Sequence, residues 1–84
     1  MTGAAKKVLS PIPGVFYRKP SPDKDVYVKE GDAVKEGDVI GLVEVMKNFY
    51  EIKAEAAGVL EKFLVNEEDV LDAGQEIAVI VAES

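Results

Sequence analysis

The side chains of this chain that could do chemistry are lysines, tyrosines and carboxylates, because its 84 residues include no cysteine and no histidine. Without those two residue types the chain lacks thiolate nucleophiles, disulfides, the most common general base and the soft-metal ligands. We therefore expect no catalytic residues and no metal site. What remains is the lysine amine, which suits covalent attachment because it ends a flexible four-carbon stem.

One lysine, Lys47, stands out by its position in VEVMKNFYEI, residues 43–52. It separates two runs with the composition of β-strands, so the runs are predicted to be the arms of a hairpin with Lys47 at its tip. A two-residue hairpin loop prefers glycine, asparagine or aspartate, because its central residues need positive φ. If Met46 and Lys47 occupy the loop, each costs on the order of 1 kcal/mol. A sequence that accepts such a cost usually does so for function.

The hairpin lies midway between two halves that resemble each other. Residues 28–43, VKEGDAVKEGDVIGLV, align with residues 65–80, VNEEDVLDAGQEIAVI, at an offset of 37 positions. PIPGVF at residues 11–16 resembles EAAGVL at residues 55–60, but at an offset of 44. The first half therefore contains seven extra residues, which lie between Phe16 and Val26, within an insertion-bearing loop at residues 17–25.

Short strands are predicted throughout, and the fold class is all-β. VIGLVEV and IAVIVA are β-branched and apolar at both parities, as in strands covered on both faces. No segment has helical periodicity, although DAVKEGD could make one helical turn. We expect a flattened β-barrel or sandwich of two pseudo-symmetric four-stranded halves, a barrel-sandwich hybrid. Both halves are needed for one core, because neither could bury its own apolar face.

Composition and charge narrow the function further. The chain is predicted to be a single domain, residues 1–84, with a flexible N-terminus at residues 1–7. It contains neither an apolar run of about 20 residues nor a secretory signal, so we expect a cytoplasmic protein without a membrane span. The net charge of −6 disfavours nucleic acid as a partner, since phosphate binding needs a basic face.

The motif EVMKN, residues 44–48, at a hairpin tip between two similar halves resembles the biotinyl (biotin/lipoyl attachment) domain family. Within that family the likeness is to the biotin carboxyl carriers of bacterial acetyl-CoA carboxylase, and it extends over residues 10–80. The family motif is typically Glu-Ala-Met-Lys-Met, and its lysine carries biotin in amide linkage. The resemblance thus implies covalent biotin on Lys47, flanked by Glu44, Met46 and Asn48.

The resemblance also implies partners and a role in fatty-acid synthesis. In the family a biotin protein ligase attaches the biotin, and a biotin carboxylase loads it with CO2 from bicarbonate, using ATP and magnesium. A carboxyltransferase then passes the CO2 to an acyl-CoA. This chain is accordingly expected to be a non-catalytic carrier between the two enzymes.

The insertion falls where the bacterial carriers have a protruding thumb, a loop that lies against the biotin ring. We call residues 17–25 the thumb. The resemblance nominates residues 18–25 as a flap over the cofactor, with contacts from Lys19, Pro20, Ser21, Pro22 and Asp23. Val45 and Asn48 depart from the alanine and methionine of the family motif, which leaves recognition by the ligase or the carboxylase open.

Three alternatives remain at this point. The chain could be a lipoyl carrier, although that family typically has Asp-Lys-Ala at the tip. It could be the carrier of a different biotin-dependent carboxylase, because the carboxyltransferase and not the carrier selects the acceptor. It could also be an unmodified β-barrel scaffold that has kept the hairpin without the chemistry.

Overall fold

Eight β-strands form this computed structural model, which describes residues 5–82. Within those residues there is no helix, and hence none with the length and apolarity that a membrane crossing requires. The strands are β1 (Ala5–Leu9), β2 (Gly14–Tyr17), β3 (Ala33–Val34), β4 (Val39–Val45), β5 (Asn48–Lys53), β6 (Gly58–Phe63), β7 (Val70–Leu71) and β8 (Glu76–Ala82).

The strands form two four-stranded antiparallel sheets, one with the order β1-β8-β6-β3 and the other with the order β5-β4-β2-β7. The sequence repeat aligns β2, β3 and β4 with β6, β7 and β8, and the strand orders give β1 and β5 equivalent edge positions, so each sheet is the pseudo-symmetric image of the other. Each sheet takes two strands from each half, and neither half contains a complete sheet. The predicted all-β barrel-sandwich of two interdependent halves is therefore confirmed.

The turns repeat the same pseudo-symmetry in their backbone hydrogen bonds. The N–H of Gly31 donates to the carbonyl of Leu60 at 2.7 Å, and the N–H of Glu68 donates to the carbonyl of Phe16 at the same distance. Gly31 has φ of 96° and Glu68 has φ of 68°. The second half thus places a residue with a side chain where the first half has glycine.

The core lies between the two sheets and is made of aliphatic side chains around one aromatic ring. Phe16 is fully buried at its centre, with its ring centroid 6.0 Å from that of Phe63. Gly41 faces this ring so closely that a Cβ there would lie 2.6 Å from the ring. The other buried apolar residues of the cluster are Val8, Val34, Ile40, Val43, Ile52, Ala54, Leu60, Val65, Leu71, Ile77, Ala78 and Ile80.

One local prediction differs from the structure. Residues 5–7 were expected in a flexible N-terminus but belong to β1, because they pair with the end of β8 (Ala5 with Val81, Lys7 with Val79). Residues 1–4 lie outside the described residues. DAVKEGD, residues 32–38, forms β3 and a tight turn, as the prediction of short strands implies, and the alternative of one helical turn is not formed, since the backbone of β3 pairs with β6.

Candidate functional site

The tip of the β4–β5 hairpin is a two-residue turn. Val45 pairs with Asn48 in the last position of the ladder, which leaves Met46 and Lys47 as the loop. Their φ angles are 51° and 68°. Positive φ at both central residues is the signature of a type I′ turn, whose twist matches that of the flanking strands. Met46 and Lys47 therefore occupy the loop, the case for which the sequence analysis expects a cost at each residue.

The tip projects from a hairpin that is anchored in the core. Val43 on β4 and Ile52 on β5 are buried, whereas Met46, Lys47 and Asn48 are exposed. Met46 is 89% exposed, which is unusual for a large apolar side chain. In the described part of the chain ion pairs form at other lysines and none forms at Lys47. The Lys47 amine is thus presented on a fixed base without a partner that holds it.

An aromatic pair lies beside the tip on the outer face of the second sheet. Glu44 on β4 is directly opposite Phe49 on β5 and Val15 on β2, so their side chains share that face. The hydroxyl of Tyr17 donates a hydrogen bond to Oε1 of Glu44 at 3.1 Å. The rings of Tyr17 and Phe49 are 6.2 Å apart at an interplanar angle of 52°. Partial burial raises the pKa of Tyr17, and the hydrogen bond to the Glu44 carboxylate raises it further.

The thumb is closed at its base and folded upon itself. The N–H of Tyr27 donates to the carbonyl of Arg18 at 2.9 Å, which joins its two ends. At the far end the Ser21 hydroxyl donates to Oδ1 of Asp23 at 2.7 Å, and the N–H of Lys24 donates to the carbonyl of Ser21 at 3.1 Å. The bond from Ser21 lowers the pKa of Asp23, because it stabilises the carboxylate. The insertion is therefore a defined excursion of the chain.

A groove of about 560 Å³ lies between the thumb and the hairpin. Its volume is in the range of small-molecule sites in proteins. Tyr17 and Phe49 provide aromatic walls, and the groove also contains groups that form hydrogen bonds. The remaining lining residues are Lys19, Pro20, Ser21, Pro22, Glu67 and Glu68.

Four of the nine predicted site residues line the groove, and they are residues 19 to 22 of the thumb. Asp23 does not line it but binds Ser21, and Met46, Lys47 and Asn48 form the adjacent hairpin tip without lining it. Glu44 contacts the groove through Tyr17. The sequence analysis missed four lining residues: Tyr17, Phe49, Glu67 and Glu68.

The missed residues differ in how far the sequence could have revealed them. For Phe49, strand alternation was a signal, because it lies two residues after Lys47 and opposite Glu44. Glu67 and Glu68 reach the groove only because β7 pairs with β2, a contact between the two halves.

The hairpin tip can carry a covalently attached group, and the adjacent groove can bind that group. An exposed lysine amine can form an amide bond with a carboxylic acid. The flat rings of Tyr17 and Phe49 suit a compact ring system, and the polar groups around them suit one with hydrogen-bond donors and acceptors. The residues present therefore fit a biotin linked to Lys47.

Comparisons with known proteins agree with this geometry. The sequence profile of the biotin/lipoyl family, described as biotin-requiring enzyme, matches residues 6–80. The biotin carboxyl carrier protein of acetyl-CoA carboxylase from Haemophilus influenzae is 40% identical over 73 residues, which are 87% of this chain and 47% of that protein. The protein with the same name from Porphyra purpurea is 37% identical over 70 residues, which are 83% of this chain and 45% of that protein.

Among solved structures, the Kluyveromyces lactis urea carboxylase contains a similar domain. The TM-score is 0.77 at 29% sequence identity, and the match covers 93% of this chain and 6% of that one. The chain spans less than half the length of the two curated relatives described above.

Proposed function

The chain belongs to the biotin/lipoyl family of biotin-requiring enzymes, and on this premise we propose that it is a biotin carboxyl carrier whose attachment residue is Lys47. One observation carries the proposal. Lys47 is exposed at the tip of a type I′ turn that glycine or asparagine would form more readily. A lysine at the second central position of this turn makes the turn less stable, and a functional role of the lysine side chain explains why it is there.

When biotin is attached, one ureido nitrogen of its ring supplies the chemistry, because it accepts a carboxyl group from bicarbonate in an ATP-driven step and yields it to an acceptor. The residues of this chain hold and present that ring. Hairpin residues Val43 and Ile52 fix the base of the arm in the core. The stem of Lys47 gives it reach, so that two enzymes meet one tethered group at raised effective concentration.

The partners in this proposal are a biotin protein ligase, a biotin carboxylase and a carboxyltransferase. The names of the two curated relatives support acetyl-CoA carboxylase as the assembly. The similar domain of urea carboxylase supports a second candidate, a carrier for another biotin-dependent carboxylase. An assembled complex tested with several acceptors distinguishes the two, since the acceptor is selected by the carboxyltransferase.

The thumb residues Lys19, Pro20, Ser21 and Pro22 are proposed to contact the attached ring. They line the groove beside the hairpin, and the base of the thumb is closed by the bond between Tyr27 and Arg18. Asp23 supports this surface by holding the Ser21 hydroxyl.

Intact mass after co-expression with a biotin protein ligase tests the attachment. We expect a gain of one biotin less one water, and its complete loss in Lys47→Arg. Lys53→Arg is the matched control, because Lys53 is an exposed lysine on the same hairpin. It should keep the full gain.

Each alternative has its own result in this experiment. A gain that persists in Lys47→Arg refutes the assigned site. A gain only with a lipoate ligase and lipoate identifies a lipoyl carrier. No gain with either ligase leaves the unmodified scaffold.

A further inference from the structure

Glu68 has a backbone conformation that a residue with a Cβ rarely adopts. Its φ is 68°, and its counterpart in the first half is Gly31. The other non-glycine residues with positive φ in the described range 5–82 are Met46 and Lys47, the hairpin tip itself. Such strain is found preferentially at functional sites. The strain therefore indicates that the Glu68 side chain, which glycine would lack, has a function.

The residue lies next to the aromatic pair. Glu68 lines the groove together with Tyr17 and Phe49. Its charge also contributes to the raised pKa of Tyr17, which places the carboxylate within electrostatic range of the Tyr17 hydroxyl. The pseudo-repeat explains how it gets there, because the turn before β7 is held against β2 by the bond from the Glu68 N–H to the Phe16 carbonyl.

The neighbouring Glu67 differs from Glu68 in that its carboxylate binds the backbone. Its Oε1 accepts the backbone N–H of Arg18 at 2.6 Å and so fixes the first residue after β2. Among the hydrogen bonds of residues 5–82 there is none that ends on the Glu68 carboxylate. Within the described residues both oxygens of Glu68 are thus free to accept, whereas one oxygen of Glu67 is already engaged.

Phe49 follows Lys47 by two residues, a distance of about 7 Å along a strand. The lysine stem with an acyl chain linked to it is longer than that, so a ring tethered at Lys47 can enter the groove. Biotin's neutral ring presents two ureido N–H donors, and a carboxylate is the strongest acceptor that a side chain can offer them. The flanking aromatic faces would pack against the ring system.

We propose that the Glu68 carboxylate accepts a hydrogen bond from a ureido N–H of the biotin on Lys47 while the ring lies in the groove. This rests on the proposed function, since it requires biotin at Lys47. Glu68 is a binding residue for the resting ring and takes no part in attaching the biotin.

The test compares the biotinylated chain with three variants by NMR. Glu68→Ala removes the acceptor and keeps the Cβ, so the backbone strain is unchanged. Glu68→Gln keeps an oxygen acceptor without the charge. Glu36→Ala is the matched control, an exposed glutamate in another turn that does not line the groove. Intact mass first confirms one biotin on every sample, and thermal unfolding confirms that each variant is folded.

In the unaltered chain, biotinylation should shift the amide signals of Ser21 and Phe49 and slow the exchange of a ureido proton with water. Glu68→Ala should lower the equilibrium constant for the ring in the groove, bound against free, about three- to tenfold, as expected for a lost charged hydrogen bond at a solvent-accessible site. Glu68→Gln should fall between the two, and Glu36→Ala should match the unaltered chain.

Two results overturn the inference while biotin attachment stands. One is that the amide shifts of Ser21 and Phe49 and the ureido proton exchange are the same in biotinylated Glu68→Ala as in the unaltered biotinylated chain. The other is that, in the unaltered biotinylated chain, these amide signals match those of the unmodified protein and the ureido protons exchange as in free biotin. Absence of biotin on the unaltered chain is a separate result, visible by mass, and it refutes the proposed function together with this inference.

Discussion

The backbone of the hairpin tip predicts that one substitution should stabilise the fold. Met46 has φ of 51°, a conformation that costs an ordinary L-residue about 1–2 kcal/mol and that asparagine tolerates. Because Met46 is 89% exposed, its replacement removes little buried apolar surface. Met46→Asn should therefore raise the free energy of unfolding by about 0.5–1 kcal/mol. In a domain of this size such a change corresponds to a Tm increase of roughly 2–8 °C.

Urea denaturation followed by far-UV circular dichroism measures the effect, since the chain has no tryptophan to report by fluorescence. Met46→Gln is the matched control. It also replaces an exposed apolar side chain by an amide but has no special tolerance for positive φ, so its stability should stay within about 0.5 kcal/mol of the original. If the two variants are equally stable, the strain argument for the tip is refuted.

Other substitutions test the core, the aromatic pair and the groove. Gly41→Ala should lower the free energy of unfolding by about 1–3 kcal/mol in the same urea assay, because its Cβ would lie 2.6 Å from the Phe16 ring; a neutral result would show that the ring can move. The pKa of Tyr17 is raised in the folded state above its ordinary value of 10.0, so the tyrosine ionises more readily when the chain is unfolded. The contribution of neutral Tyr17 to the free energy of unfolding is therefore complete below pH 10.0 and is lost as the pH rises through the folded-state pKa. Tyr17→Phe, which cannot bond to Glu44, should lose less stability between about pH 8 and about pH 11, and an equal loss in both proteins would contradict this. Glu68→Gly should stabilise the unmodified protein by up to about 1 kcal/mol, since glycine adopts its φ of 68° without strain; destabilisation would mean that the side chain supports the fold.

The sequence predicted the features that depend on local pattern. The hairpin with Lys47 at its tip followed from two strand-like runs around a lysine, and the barrel of two halves followed from the 37-residue repeat. The far wall of the groove could not be predicted in this way. Glu68 and Phe49 are far apart in the chain and line one groove because each sheet takes strands from both halves. The backbone strain at Glu68 could not be predicted either. The repeat aligns Glu68 with Gly31, but the sequence does not show that both residues have positive φ.

The charges of the groove favour an uncharged ring at the proposed resting site. Glu67 and Glu68 contribute two carboxylates to the lining, and Lys19 contributes one ammonium. A neutral ring with N–H donors can hydrogen-bond to the Glu68 carboxylate, whereas a negatively charged ring would meet an excess of like charge. On both proposals the strained backbone at Glu68 has the same explanation as the strained turn at Lys47, since each places a side chain at the biotin site where glycine would give a more stable fold.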